Sequence, residues 1–92
     1  MSQLDEYLDM AQTIAMSGEQ KFTSVHGRFG TYYVKEVEGF EYRAQKDSLN
    51  VEVMNLENSD PFISRWADGR PCRCHLGRYH SLDKIKEHYD SL

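Results

Sequence analysis

The sequence predicts a small α+β domain with an N-terminal helix, an antiparallel sheet of four to five strands and a C-terminal helix. Apolar residues recur with helical spacing near both ends of the 92-residue chain, and they alternate with polar residues through its middle. Turn sequences that contain glycine separate the alternating segments. A chain of this length is expected to form one domain, residues 1–92, with both helices on one face of the sheet.

The first helix is predicted in residues 2–19. Its apolar side chains have the i, i+3, i+4 spacing of an amphipathic helix, and they are Leu4, Tyr7, Leu8, Ala11, Ile14 and Ala15. Ser2 is the predicted N-cap, because a serine oxygen can accept a hydrogen bond from a free amide of the first turn. Ser17 and Gly18 are expected to end the helix.

A first strand is predicted in residues 21–27, where the apolar period changes to two and Gly27 closes the segment. The stretch "HGRFG" at 26–30 is interpreted as a turn or bulge. A hairpin is predicted around Glu38-Gly39. Its facing residues are Tyr33, Lys35 and Val37 on one strand and Phe40, Tyr42 and Ala44 on the other.

A further strand is predicted in residues 48–56, and the turn cluster "ENSDP" follows it. Asp68-Gly69 is the strongest hairpin signal in the chain. A two-residue turn there pairs Arg65 with Cys72 and Ile63 with Cys74, and it places these four side chains on one face. Pro71 lacks an amide hydrogen, so its strand is expected at the edge of the sheet.

The last helix is predicted in residues 81–92. Ser81 is the expected N-cap, and Asp83 in the first turn complements the positive end of the helix dipole. One apolar stripe is predicted from the spacing of Leu82, Ile85, Tyr89 and Leu92.

Composition and charge exclude several classes of function. The net charge is −4, and the first 60 residues carry five Lys and Arg against eleven Asp and Glu. A general binder of polyanions is normally basic overall. No stretch approaches the roughly 18 continuous apolar residues of a membrane span, and the N-terminus has acids where a signal peptide has a basic and then an apolar segment. We therefore expect a cytoplasmic protein with reduced thiols and no membrane contact.

The stretch "RPCRCHLGRYH", residues 70–80, holds both cysteines and two of the four histidines. Zinc prefers thiolate and imidazole ligands, usually four in a tetrahedron. Cys72 and Cys74 are the candidate ligands, with His80, or His26 from the first strand, to complete the set. Their C-x-C spacing differs from the usual C-x2-C, however, and there is no second cysteine pair. The favoured interpretation is two passive thiols with no metal and no cofactor, and a small zinc-binding domain is an alternative.

A non-enzymatic binding module is the favoured function, because the chain has no phosphate-binding glycine motif, catalytic triad or H-E-x-x-H motif. We expect it to act by protein–protein contact, as phage-encoded inhibitors and accessory proteins of this size do. Trp, Tyr and Arg dominate the energetics of protein interfaces. The predicted contact residues are Trp66, Arg65, Arg70, Arg73, Arg78 and Tyr79.

Nucleic-acid binding through the basic C-terminal segment is a second alternative. Its phosphate contacts would be Arg65, Arg70, Arg73, Arg78, Lys84 and Lys86. The order of helix, strands and helix resembles that of double-stranded-RNA-binding domains, whose last helix begins with a lysine cluster. Both a monomer and a homodimer are expected states, since an exposed edge at the last hairpin can pair with a second copy.

Overall fold

Two helices pack on one face of a five-stranded antiparallel sheet in the computed structural model, which describes residues 3–57, 60–72 and 82–92. In chain order the elements are α1 (Gln3–Met16), β1 (Glu19–Val25), β2 (Arg28–Val37), β3 (Phe40–Ala44), β4 (Val51–Asn55), β5 (Asp60–Arg65) and α2 (Asp83–Asp90). The predicted α+β architecture is confirmed, with five strands in the sheet.

Tight turns join the first three strands. His26-Gly27 connects β1 to β2, and Glu38-Gly39 connects β2 to β3; all four residues have positive φ angles, between 49° and 83°. Two such residues in succession form the type I′ turn, whose twist matches that of the flanking strands. The β2–β3 register confirms the predicted hairpin, with Val37 opposite Phe40. In "HGRFG" only the first two residues form the turn, because β2 already begins at Arg28.

Helix α1 supplies much of the core. Its buried side chains are five of those that the spacing predicts, namely Tyr7, Leu8, Ala11, Ile14 and Ala15. They pack against Tyr42, Ala44, Val51, Val53 and Ile63 of the sheet and Ile85 of α2. Burying one leucine or isoleucine side chain completely contributes about 1.5–3 kcal/mol. The predicted N-cap Ser2 lies outside the described residues.

Helix α2 differs from its prediction at both ends. The structure places the N-cap at Leu82, which makes no side-chain capping bond, and Ser81 lies outside the described residues. Ile85 is buried as expected, but Tyr89 and Leu92 are exposed, and His88 is buried instead. The helix can bury a histidine because the Tyr42 hydroxyl lies 2.5 Å from His88 Nδ1 and satisfies it.

The connection after β5 also corrects a prediction. Arg65 lies opposite Pro71, and the amide of Cys72 donates to the carbonyl of Ser64 at 3.0 Å. The predicted pairing of Arg65 with Cys72 is therefore wrong by one residue, and the pairing of Ile63 with Cys74 lies outside the described residues. The amide of Gly69 donates to the carbonyl of Trp66 and closes a turn, and Gly69 itself has a φ of 93°. The loop between Trp66 and Arg70 therefore has three residues rather than two. Because a shift of one residue moves a side chain to the other face of a strand, Cys72 no longer shares a face with Arg65 as predicted.

The sheet is strongly curved. Nη1 of Arg43 in β3 donates to the carbonyl of Ser24 in β1 at 2.8 Å, across the face opposite the helices. Farther along the hairpin, the ring of His26 stacks on Trp66, which follows β5. The two outermost strands of the sheet therefore approach each other at one end. This approach builds the cleft described next.

Candidate functional site

A cleft of about 260 Å³ lies between the β1–β2 turn and the loop formed by residues 66–70. We call it the His26–Trp66 cleft. Its lining includes Val25, His26, Arg28, Asn50, Trp66, Asp68 and Arg70. The type I′ turn fixes the position of His26, and the three-residue loop after β5 fixes that of Trp66.

An aromatic stack forms one wall of the cleft. The rings of His26 and Trp66 have centroids 4.1 Å apart and an interplanar angle of 28°. Trp66 retains 40% of its exposure, so a large part of its surface is open to solvent. Indole is both apolar and able to donate a hydrogen bond, and exposed tryptophan is enriched at binding surfaces for that reason.

Buried polar atoms lie beside the stack. Neither Nδ1 nor Nε2 of His26 makes a hydrogen bond of good geometry within the described part of the chain, and the same holds for Oδ1 of Asn50, although the Asn50 side chain is close enough to raise the pKa of His26. All three atoms are inaccessible to solvent. Leaving a buried donor or acceptor unsatisfied costs about 1–3 kcal/mol, and native proteins usually satisfy such groups with protein, water or a ligand. These atoms therefore lie within the wall of the cleft and are not presented to its opening.

His26 is neutral near pH 7. Burial disfavours the charged imidazolium and lowers the pKa of His26 below its ordinary value of 6.5, although the nearby Glu52 carboxylate and the Asn50 side chain act in the opposite direction. A neutral imidazole has one N–H donor and one acceptor nitrogen. His26 can thus both donate and accept, with no charge to desolvate.

Charged side chains surround the opening. Nε of Arg70 donates to Asp68 at 2.7 Å, and the amide of Arg70 donates to the same carboxylate. That backbone hydrogen bond, followed by the Arg70 guanidinium, lowers the pKa of Asp68. Arg28 also lines the cleft and adds a second basic residue. The rim therefore has more positive than negative groups, whereas the whole chain is acidic.

The predicted contact residues fall into three groups. Trp66 and Arg70 lie together on this cleft, and both are exposed. Arg65 is only 3% exposed, and its guanidinium donates to Asp9 at 2.7 Å and to Gln12 at 3.0 Å in α1. Its predicted place on the surface is therefore corrected to the interior. Arg73, Arg78 and Tyr79 lie outside the described residues.

The zinc hypothesis remains a prediction. Cys72 is buried, and Cys74 and His80 lie outside the described residues. Across residues 3–57, 60–72 and 82–92, no three His, Cys, Asp or Glu side chains are grouped closely enough to hold a metal ion.

A second polar cluster connects Tyr42, His88 and Glu38. His88 Nε2 lies 3.2 Å from a Glu38 carboxylate oxygen, which can only accept, so this nitrogen donates and Nδ1 accepts from the Tyr42 hydroxyl. Burial raises the pKa of Tyr42, and the Glu38 charge adds to the rise. The order of groups resembles a proton relay, but the tyrosine is wholly buried and cannot meet a substrate. The cluster therefore fixes α2 on the sheet.

Arg28 and Asn50 are site residues that the sequence analysis missed, and it named His26 only as a candidate metal ligand. The His-Gly pair contains a usable signal, since histidine is among the residues enriched at positive φ and glycine follows it. That signal predicts a tight turn at 26–27. It does not predict that the turn meets Trp66, which depends on the curvature of the whole sheet.

Comparisons with known proteins give no information about function. No family model matches the sequence, and no curated protein or solved structure is significantly similar to it. Among the described residues, neither helix combines the length and apolar character that crossing a lipid bilayer needs.

Proposed function

We propose that this chain is a small, non-enzymatic binding module that acts by protein–protein contact through the His26–Trp66 cleft. The observation that carries the proposal is an exposed tryptophan, stacked on His26, in the wall of a cleft that Arg28 and Arg70 also line. A partner side chain that fills the cleft removes the indole from water. This change favours binding.

The size of the cleft favours a protein partner over a small metabolite. Pockets for small molecules usually enclose about 300–1,000 Å³, and this cleft encloses about 260 Å³. It fits one large side chain of a partner whose remaining contacts lie on the surrounding surface. Trp66 and Arg70 are of the residue types that contribute most to such interfaces.

The side chains of the cleft favour binding over catalysis. A nucleophile that acts in catalysis is activated by a base within hydrogen-bond reach. Among the described residues that line the cleft, His26 is the one histidine, and none is a serine, threonine, cysteine or lysine. Nucleic-acid binding and a role as a phage-type inhibitor or accessory protein both remain predictions.

The experiment that tests the proposal is quantitative capture of partners from the cells that make the protein. Tagged wild-type chain and the variants Trp66→Ala and Arg70→Ala are purified with and without nuclease treatment, and proteins bound in stoichiometric amounts are identified by mass spectrometry. We expect Trp66→Ala to weaken binding by about 2 kcal/mol or more, which is about thirtyfold in dissociation constant. Arg70→Ala is expected to have a smaller effect, since its guanidinium is largely solvated.

Leu56→Ala is the matched control. Leu56 is an exposed apolar residue in the turn after β4, and its truncation is expected to leave binding unchanged. A partner that binds wild type and Trp66→Ala equally well contradicts the proposal. Loss of all captured protein after nuclease treatment favours the nucleic-acid alternative instead.

A further inference from the structure

Strand β1 forms an open edge of the sheet. In the described part of the chain it pairs only with β2, and residues 19–22 are exposed. An edge strand presents unpaired backbone N–H and C=O groups, and proteins often block such an edge with proline or a bulge. β1 contains no proline, and its ladder with β2 runs without interruption from Glu19 to Val25. Within the described part of the chain, residues 19–22 of this edge are therefore open to pairing with another strand.

The outward-pointing backbone groups of β1 can be identified. The carbonyl of Ser24 accepts from the Arg43 guanidinium, so it points away from β2. In an antiparallel ladder every second residue bonds to the same neighbour. The N–H and C=O groups of Gln20 and Phe22 therefore also point outward.

We propose that two copies of this chain pair through their β1 edges, in antiparallel orientation, with Gln20 opposite Gln20 of the second copy. The two glutamines then exchange both backbone hydrogen bonds across a two-fold axis. On either side of that axis, Glu19 of one copy lies opposite Lys21 of the other. The dimer thus contains two cross-strand pairs of opposite charge, and such pairs stabilise a sheet.

Other registers fit less well. With Lys21 opposite Lys21 of the second copy, like charges meet directly and destabilise the pairing. With Phe22 opposite Phe22, Lys21 lies opposite Thr23 and Glu19 opposite Val25, so neither charge meets an opposite charge. That register also requires Val25, which is fully buried. The register centred on Gln20 uses the exposed part of the strand.

The proposed register also covers exposed aromatic surface. Phe22 and Phe29 stack with centroids 6.2 Å apart, yet each remains about three-quarters exposed, at 76% and 75%. Phe22 falls opposite Gly18 of the second copy, which has no side chain to oppose the ring. The amide of Gly18 already donates to the carbonyl of Ala15 at 3.0 Å, so the backbone hydrogen bonds of the pairing come from Gln20. A depression of about 500 Å³ lies beside Gly18, Glu19 and Lys21 and extends over residues 34–36 of β2.

The sequence suggested a different edge, at the last hairpin, and the second strand of that hairpin lies largely outside the described residues. Self-pairing was expected at the last hairpin, but β5 contains Pro61, and Pro71 lies opposite Arg65. Proline has no N–H to donate to a ladder. The β1 edge has neither obstacle.

Charge reversal tests the register. Sedimentation equilibrium of the full chain is expected to show a monomer–dimer equilibrium for wild type. Glu19→Lys and Lys21→Glu each turn two attractive pairs into two like-charge pairs, so each is expected to raise the dissociation constant about tenfold or more. The double variant E19K/K21E restores the opposite charges and is expected to return to within about threefold of wild type.

Mixing the two single variants separates a lost contact from a lost fold. A copy with Glu19→Lys placed against a copy with Lys21→Glu has opposite charges at both positions, so the mixture is expected to form heterodimers. Glu57→Lys and Lys46→Glu are the matched controls, because they make the same charge changes at exposed positions away from β1. Wild type that stays monomeric at about 1 mM overturns the proposal. It is also overturned if E19K dimerises as tightly as the Glu57→Lys control, or if the mixture does not associate.

Discussion

The Arg65 guanidinium connects the last described strand to the first helix. Besides its bonds to Asp9 and Gln12, its Nε donates to the carbonyl of Leu49 at 2.8 Å. We expect Arg65→Ala to lower the free energy of unfolding by about 2–4 kcal/mol, because it leaves buried acceptors without donors and a space in the core. Asp9 is half exposed, so water can solvate its freed carboxylate and keep the loss below the upper end of that range. Urea unfolding measures the change.

Arg70→Ala is the control for this substitution. Arg70 also pairs with an aspartate at 2.7 Å, but both side chains are solvated. Exposed pairs contribute about 0–1 kcal/mol. Equal losses for the two variants would show that the burial of Arg65 does not determine its contribution.

His26 makes stability depend on pH. Because its pKa is lowered in the folded state, the unfolded chain takes up the proton first as the pH falls below 6.5. The unfolded state then binds more protons, so the free energy of unfolding falls between pH 6.5 and the lower pKa of the folded state. His26→Asn removes this group, and asparagine tolerates the positive φ of the turn.

Unfolding of wild type and His26→Asn at pH 7 and pH 5 measures the effect. Wild type is expected to lose more stability over this interval than the variant does. Equal losses, or a His26 imidazole that titrates above 6.5 by NMR, would contradict the neutral state assigned to the cleft.

At the scale of the elements, the Tyr42–His88 hydrogen bond holds α2 on the sheet. Tyr42→Phe leaves Nδ1 of a buried histidine without a donor and is expected to cost about 1–3 kcal/mol. Replacing both partners, as in Tyr42→Phe with His88→Leu, removes the unsatisfied group and is expected to cost less than the sum of the two single changes. A double-mutant cycle from urea unfolding measures this coupling. A coupling energy of zero would show that the hydrogen bond does not hold the helix.

Local patterns predict most of these elements. The stripe of α1 and the Glu38-Gly39 hairpin depend on spacing and turn chemistry, which are visible in the sequence. The buried side of α2 is not visible in this way, because apolar spacing favoured Tyr89 over His88. Only the position of the Tyr42 hydroxyl on a neighbouring strand makes His88 the better residue to bury.

The predicted register after β5 was wrong for a different reason. Asp68-Gly69 is compatible both with a two-residue turn and with a three-residue loop that ends in glycine. Nothing local decides between them. The observed loop places Arg65, with its bonds to α1, opposite Pro71.

At the scale of the whole molecule, the curvature of the sheet creates the candidate site. Trp66 and Arg70 were predicted as contact residues from their types, but the neutral histidine beside them comes from the opposite edge of the sheet. Long-range approaches of this kind depend on the twist of all five strands, so the sequence pattern cannot predict them. The cleft lies at the turn of the β1–β2 hairpin, and the exposed residues 19–22 of β1 lie at the other end of the same hairpin. A dimer through β1 therefore carries two open clefts and can bind a two-site partner with increased avidity.

Hydrogen exchange of the complex tests the role of the cleft most directly. The captured partner is bound to the full chain, and amide exchange is compared with that of the free protein by mass spectrometry. We expect residues 25–28 and 66–70 to exchange about tenfold more slowly in the complex, because the partner covers both walls of the cleft. Protection confined to other surfaces, with these two segments unchanged, would contradict the assignment of the His26–Trp66 cleft as the binding site.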